Sequence, residues 1–237
     1  MSTVPIKFSA NTYRVKSLSF HPTRPWLLVG LANGNIQIWD YRLENLLHTY
    51  TDCGSSPIRC VLWHPTQPLF AASGDDQLIR IFNYQKKTCL FALQGHNDYV
   101  RSLQFHHEQP WLLSASDDQT IRIWNWQSRS CICEILGHHY YVMDAKFHPH
   151  LPLIATASLD NTLRIWNYAQ FLNRQSGSSG LLPPAIQQQQ HSSSALDGIT
   201  PDVEIVAVLD QVSYINSIQW YYHQPTEQTY LFFAGKE

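Results

Sequence analysis

The chain has few charged residues and no strong excess of either sign. Charged side chains make up 14% of its 237 residues, and 16 basic residues stand against 18 acidic ones. Because nucleic-acid-binding proteins usually carry a basic surface, this balance argues against that class. No run of 18 apolar residues is present, and the first eight residues show no apolar core behind a basic start. We therefore expect no membrane-spanning helix and no signal peptide.

Motifs for catalysis, disulfide formation and metal binding are also missing. The five cysteines, at 53, 60, 89, 131 and 133, include no Cys-x-x-Cys pair, so we expect neither a disulfide framework nor a zinc site. A reducing compartment such as the cytoplasm suits this cysteine pattern best. The sequence contains no Gly-x-Ser-x-Gly elbow, no glycine-rich phosphate loop and no His-Glu-x-x-His motif. We predict no enzymatic activity, no cofactor and no bound metal.

A repeat of about 42 residues is the main positive feature of the sequence. Four segments align without gaps, and their key aromatic residues follow one another at spacings of 43, 42 and 42 residues. A period of this length with a closing Trp-Asp-like pair is typical of WD40 propeller blades. The segments are GNIQIWDY (34–41), QLIRIFNY (77–84), QTIRIWNW (119–126) and NTLRIWNY (161–168).

Two further columns of the repeat carry polar side chains for which we predict structural roles. The histidine column contains His21, His64, His106 and His148, and we expect each imidazole to form hydrogen bonds inside its own blade. The second column contains Asn33, Asp76, Asp118 and Asp160 in the turn between the second and third strands, where short polar side chains bond local backbone amides.

Each repeat unit is predicted to form four short antiparallel strands, so the fold class is an all-β WD40 β-propeller. The alternation of apolar and polar residues supports four complete blades over residues 1–168. Residues 169–202 are rich in Gln, Ser and Pro, and we expect a disordered insertion there. Residues 203–237 resume the pattern and predict a partial fifth blade, truncated before ring closure.

Three columns near the loops vary between units, which is where function is expected in a repeat fold. They place a basic sector, Arg14, Lys16 and Arg59, and an acidic sector, Asp75, Asp98 and Asp117, on one rim of the channel. Tyr99 and Tyr141 lie close to the acidic sector. Two interpretations remain open at this point. The rim charges pair with one another or face water, or they form a site for a short ligand with an anionic end and a cationic part.

Three stretches of the sequence resemble the N-terminal WD40 domain of coatomer alpha subunits. The resemblance is dense over about residues 6–168 and looser over 203–237. It is most specific in the second of the three stretches. They are SFHPTRPWLLVGLANGNIQIWDYR, SASDDQTIRIWNWQSRSC and GHHYYVMDAKFHP.

The resemblance implies a role in COPI vesicle coats, which return cargo from the Golgi to the endoplasmic reticulum. It implies binding of C-terminal dilysine signals on membrane cargo, contact with the beta-prime and epsilon coatomer subunits, and peripheral association with Golgi membranes. The implied site has three parts: Arg14, Lys16 and Arg59 at the terminal carboxylate, Asp75, Asp98 and Asp117 at the lysine ammonium groups, and Tyr99 and Tyr141 along the lysine stems.

Another interpretation is a WD40 protein-interaction scaffold with a different partner, such as a ligase substrate receptor, or the related beta-prime subunit of the coat. A shared fold does not fix a function, so only the specific stretches above favour the coatomer assignment. Binding of dilysine-ended peptides separates these alternatives.

Overall fold

The computed structural model describes residues 13–51, 54–175, 202–210 and 214–236. These residues form four four-stranded antiparallel sheets and one two-stranded sheet. The all-β WD40 blade architecture is therefore confirmed. We call each sheet a blade and number the blades in chain order.

The first two blades contain β1 to β8, and each blade runs in sequence order from its inner to its outer strand. Blade 1 contains β1 (Val15–Phe20), β2 (Trp26–Leu31), β3 (Ile36–Asp40) and β4 (Asn45–Tyr50). Blade 2 contains β5 (Ile58–Trp63), β6 (Leu69–Gly74), β7 (Ile79–Asn83) and β8 (Thr88–Leu93).

The remaining strands form blades 3 and 4 and a two-stranded fifth blade. Blade 3 contains β9 (Val100–Phe105), β10 (Trp111–Ser116), β11 (Ile121–Asn125) and β12 (Ser130–Ile135). Blade 4 contains β13 (Val142–Phe147), β14 (Leu153–Ser158), β15 (Thr162–Asn167) and β16 (Glu204–Asp210), with helix α1 (Ala169–Gln175) between the last two. Blade 5 contains β17 (Tyr214–His223) and β18 (Gln228–Lys236), joined through a 3₁₀ turn, Gln224–Thr226.

The predicted boundaries around the insertion differ from the structure in two respects. Strand β16 pairs with β15 as the outer strand of blade 4, so residues 204–210 do not belong to the fifth blade. The segment 169–175, predicted as part of a disordered insertion, forms α1, whose Arg174 contacts Asp202 at 2.6 Å. The sequence pattern misplaced β16 because a long insertion separates it from its partner strand. Residues 176–201 lie outside the described residues.

The hydrophobic core lies between successive blades rather than inside any one of them. In blades 2 to 4 both faces are covered by neighbours, so the second strand is almost entirely buried and mostly apolar, as in β6 and β10. Separate apolar clusters join blades 1 and 2, blades 2 and 3, blades 3 and 4, and blades 4 and 5. The inner strands β1, β5, β9, β13 and β17 contact one another in that order.

The outward faces of the first and last described strands carry exposed apolar side chains. On β1, Leu18 is 56% exposed and Phe20 is 62% exposed, whereas the equivalent side chains of blades 2 to 4 are buried. Phe232 and Phe233 are exposed on β18. These faces show what a blade presents when no neighbour covers it.

The histidine and aspartate columns have the structural roles that the sequence predicts. In each of four blades the Nδ1 atom of the column histidine accepts two backbone N–H groups from the turn that follows, at 2.9–3.2 Å. Asp118 and Asp160 accept backbone N–H groups across the turn between the second and third strands. They also bond the imidazoles of His96 and His138 at 2.7 and 2.8 Å.

Candidate functional site

Two of the three variable columns meet at the same end of every complete blade. One opens the inner strand (Arg14, Pro57, Tyr99 and Tyr141), and the other follows the second strand (Ala32, Asp75, Asp117 and Leu159). In each blade the backbone N–H that follows the second strand donates to a carbonyl at the start of the inner strand. We call this end of the stack the rim. The four bonds are Ala32 to Arg14, Asp75 to Pro57, Asp117 to Tyr99 and Leu159 to Tyr141, at 2.9–3.0 Å.

A β-bulge in each inner strand sets the direction of the third variable column. The pairing of β1 with β2 skips Lys16, and the equivalent pairings skip Arg59, Arg101 and Met143. A bulge leaves one residue unpaired and re-aims its side chain. The bulges therefore explain how this column reaches the rim rather than the packed face of a blade.

Two of the bulge residues form two-point ion pairs with the acid that follows the second strand. Arg59 donates to Asp75 through Nε at 2.5 Å and through Nη2 at 2.7 Å. Arg101 donates to Asp117 through Nε at 2.7 Å and also through Nη2. The hydrogen bond to Asp75 raises the pKa of Arg59 above its ordinary value. A planar guanidinium matches the two carboxylate oxygens, so these pairs are strong and well oriented.

Tyr99 lies between the two ion pairs. The guanidinium carbons of Arg59 and Arg101 are both 5.6 Å from the centroid of its ring, within the range of a cation–π contact. The ring remains 37% exposed. Tyr99 therefore contacts both arginines and still has an exposed part that a ligand can reach.

Blade 1 carries a cation at the rim without a matching acid. Lys16 occupies the bulge position, but Ala32 stands where the next two blades have Asp75 and Asp117. The positive charge of Arg14 is the main cause that lowers the pKa of Lys16 below its ordinary value. Two neighbouring cations that repel each other favour an added anion. Blade 1 is thus the part of the rim with an excess of positive charge.

Asp98 is the acid that keeps an unpaired carboxylate. Its Oδ1 accepts the backbone N–H of Tyr99 at 2.7 Å, and its carbonyl accepts the hydroxyl of Ser116 at 3.2 Å. Within the described ranges it forms no ion pair with Lys, Arg or His. Asp98 can therefore accept hydrogen bonds from a cationic group of a ligand.

Blade 4 gives the rim an aromatic and apolar sector. Met143 and Leu159 replace the cation and the acid of blades 2 and 3. Tyr140 and Tyr141 stack with ring centroids 4.4 Å apart. The neighbouring Tyr140 is the main cause of the raised pKa of Tyr141. The negative charges of Asp117 and Asp98 raise this pKa further. Tyr141 therefore lies near the acidic part of the rim.

The structure brings all eight sequence-predicted site residues to one rim, but it divides them differently from the two predicted sectors. Arg59 and Asp75 belong to one ion pair, and Asp117 is neutralised by Arg101. Of the eight residues, Arg14, Lys16 and Asp98 form no ion pair within the part of the chain that the structure describes. Sequence reasoning left Arg101 out of the site, although the 16-residue spacing of Arg59 to Asp75 recurs between Arg101 and Asp117.

The described residues form no metal site, and two cavities lie away from the rim. No group of three or more His, Cys, Asp or Glu side chains comes together there as a metal site would require. Two cavities, of about 170 and 230 Å³, lie at the opposite end of the inner strands, lined among others by His64 and by Lys146. Among the helices that the structure describes, none is long and apolar enough to cross a bilayer.

Comparison with known families and structures matches the repeat. The family described as "WD domain, G-beta repeat" matches residues 3–40, 44–83, 87–125 and 129–167. A solved structure titled "Structure of U3-55K" superposes with a TM-score of 0.62 at 22% identity, over 67% of this chain and 50% of that chain. At this identity the superposition supports the fold alone.

Short segments of the chain are similar to coatomer alpha subunits. The chain is 52% identical over 42 residues to Coatomer subunit alpha of Saccharomyces cerevisiae, which is 18% of this chain and 4% of that protein. It is 55% identical over 46 residues to Coatomer subunit alpha-1 of Arabidopsis thaliana, 19% of this chain and 4% of that protein. The matched segments thus span only a small part of these much longer relatives.

Proposed function

The chain belongs to the WD40 repeat family, and on that premise we propose that it is the peptide-binding propeller of a coatomer-type vesicle coat subunit. Its rim recognises the C-terminal dilysine signal of membrane cargo that returns from the Golgi to the endoplasmic reticulum. The observation that carries this proposal is the unpaired cation at Lys16, opposite Ala32, in a rim whose next two cations are neutralised.

The terminal carboxylate of the cargo peptide binds blade 1 in this proposal. Arg14 supplies a planar fork of donors for the two carboxylate oxygens, and Lys16 adds a charge without fixed geometry. Arg59 has a supporting role, because both of its donor groups toward Asp75 are already used. A bound anion also relieves the repulsion between Arg14 and Lys16 that lowers the pKa of Lys16.

The lysine side chains of the peptide bind further round the rim. Asp98 accepts one ammonium group, since its carboxylate lacks a cationic partner in the described structure. Asp75 and Asp117 each accept two hydrogen bonds from an arginine, and their remaining lone pairs accept from a second ammonium group. Tyr99 and Tyr141 pack along the aliphatic stems of the lysines, which bury their methylene groups on aromatic faces.

In the coat that this proposal implies, the protein associates with Golgi membranes peripherally, through cargo tails and through the beta-prime and epsilon coatomer subunits. The local similarity to coatomer alpha subunits supports this assignment. WD40 propellers generally serve as interaction scaffolds, and an interaction scaffold with another partner is the second candidate. This second candidate remains because the matches to coatomer subunits cover only a short part of the chain.

Peptide titration with charge variants tests the proposal. A fluorescent peptide that ends in a dilysine signal is titrated into the unchanged chain and into Arg14→Ala, Lys16→Ala and Asp98→Asn. Removing a charge-assisted hydrogen bond costs about 1–3 kcal/mol, so each variant should bind roughly 5- to 150-fold more weakly. Lys86→Ala is the matched control, because it removes one cation from an exposed turn far from the rim. Equal binding by all four variants would exclude the rim as the site.

A further inference from the structure

The junctions between neighbouring blades are built alike at the end of the stack opposite the rim. At each of the first three junctions, the column histidine at the end of an inner strand meets an aromatic ring from the next blade, edge to face. The three pairs are His21 with Tyr84, His64 with Trp126 and His106 with Tyr168, with ring centroids 5.6, 5.4 and 6.2 Å apart.

At two of these three junctions, a hydrogen bond also joins the histidine to the aromatic residue. Tyr84 meets His21 at 3.3 Å, and Tyr168 meets His106 at 3.0 Å, each through the tyrosine hydroxyl and histidine Nε2. The Nδ1 atom of each histidine already accepts two backbone N–H groups, so the imidazole proton resides on Nε2. The tyrosine oxygen is therefore the acceptor of that bond.

At the His64–Trp126 junction both rings present a donor, and neither ring offers the other an acceptor. His64 Nδ1 accepts the N–H groups of Thr66 and Gln67 at 3.2 and 3.0 Å, which again leaves the proton on Nε2. An indole only donates, so Trp126 cannot accept it as a tyrosine hydroxyl does. The indole nitrogen of Trp126 is itself buried and has no hydrogen-bond partner among the described residues. A buried donor without an acceptor, as at this indole, is rare in folded proteins and calls for a partner.

A cavity of about 170 Å³ opens at this junction, lined by both rings and by Thr66, Gln67, Gln109 and Gln127. A single ordered water requires roughly 10–15 Å³, so the cavity has room for a group the size of a side chain. No Lys or Arg lines it, while Glu108 does. Burial lowers the pKa of His64, so its imidazole is uncharged near neutral pH. The lining therefore suits a neutral oxygen acceptor better than a carboxylate.

We propose that this pocket binds an uncharged carboxamide, the group that ends asparagine and glutamine side chains. Its oxygen has two lone pairs and accepts from both His64 Nε2 and Trp126 Nε1, where the other two junctions have a tyrosine hydroxyl. Its NH₂ group donates to the side-chain oxygens of the surrounding Gln and Thr residues. The carboxamide comes from a partner protein or from the chain's own glutamines 187–190, which lie outside the described residues. This site is separate from the rim and does not depend on the peptide-binding proposal.

Nuclear magnetic resonance of the complete chain tests the site with two probes of the same shape. Propionamide is the side-chain analogue of glutamine, and propionate is that of glutamate. We expect propionamide to shift the indole N–H signal of Trp126 with saturation, and propionate to bind at least about fivefold more weakly. The absence of a saturable shift, or an equal response to both probes, would overturn the proposal.

Two variants separate the binding site from general effects on the fold. Trp126→Tyr rebuilds the acceptor found at the other junctions, so saturation transfer from the protein to propionamide should disappear while the protein remains folded. Glu108→Gln changes an exposed side chain and should bring propionate binding close to that of propionamide. Unchanged propionamide binding by Trp126→Tyr, or unchanged selectivity in Glu108→Gln, would contradict the assignment.

The source of the carboxamide can be identified by replacing glutamines 187–190 with serine. A shift of the Trp126 indole signal in the absence of probe would identify the chain's own glutamines as the ligand. An unchanged signal, with propionamide binding retained, would assign the pocket to a partner protein.

Discussion

Arg59 and Asp75 form a two-point ion pair at the rim, although 16 residues separate them in the sequence. The same pair recurs one blade later between Arg101 and Asp117. In blade 1 the repeat has the cation, Lys16, but not the acid. Among the rim residues that the structure describes, the basic side chains of blades 2 and 3 are paired with an acid, whereas Lys16 in blade 1 is not.

The Arg101–Asp117 pair makes Asp117 a structural residue as well as a candidate ligand. The side chain of Asp117 is 3% exposed and that of Arg101 is 20% exposed, so removing the acid leaves a partly buried guanidinium without its partner. We expect Asp117→Ala to lower the free energy of unfolding by about 1–3 kcal/mol, as measured by urea denaturation. The double variant Arg101→Ala/Asp117→Ala should recover part of that loss. Additive losses would show that the two side chains are not coupled.

Asp144 joins three inner strands and should stabilise blade 5 in particular. Its carboxylate accepts from Ser102 at 2.5 Å, Lys146 at 2.7 Å and the backbone N–H of Ile218 at 3.0 Å. Asp144→Ala leaves that amide without its acceptor and Lys146 without its charged partner, so we expect a loss of about 3–5 kcal/mol. Hydrogen exchange should rise first in β17 and β18. Asp144→Asn, which keeps an acceptor oxygen, should lose less, and uniform exchange across all blades would contradict this role.

Acid should destabilise the fold through the histidine column. Burial, with a smaller effect of His107, lowers the pKa of His106 to about 4, against 6.5 for an ordinary histidine. Between these values the unfolded chain binds a proton that the folded protein does not, so stability is full above pH 6.5 and falls as the pH drops towards 4. This histidine alone accounts for about 3 kcal/mol at most.

Urea denaturation between pH 7 and pH 4.5 measures this dependence. The variant His106→Gln removes one titrating group, so its stability should vary less steeply with pH than that of the unchanged chain. Identical slopes for the two proteins would show that His106 does not contribute to the loss of stability in acid.

The sequence predicts the blades well because every strand of the repeat has its own recurring side chains. The boundary at the insertion was wrong because β16 pairs with β15 across about 36 intervening residues, and an outer strand has the weakest pattern of burial. Arg101 belongs to one of the variable columns but was left out of the predicted site, for a different reason. Its spacing from Asp117 was visible, but the bulge that turns its side chain toward that acid is a property of strand register, which alternation of apolar and polar residues does not reveal.

The most direct test of the account is to supply the missing acid in blade 1. Ala32→Asp places a carboxylate opposite Lys16, as Asp75 lies opposite Arg59, and Ala32→Asn is the uncharged control of the same shape. The affinity of one dilysine-ended peptide is measured with a free and with an amidated C-terminus. The unchanged chain and Ala32→Asn should prefer the free carboxylate by roughly tenfold or more, in line with a charge-assisted contact, and Ala32→Asp should lose that preference. Equal affinity of the unchanged chain for both peptides would contradict carboxylate binding by Arg14 and Lys16.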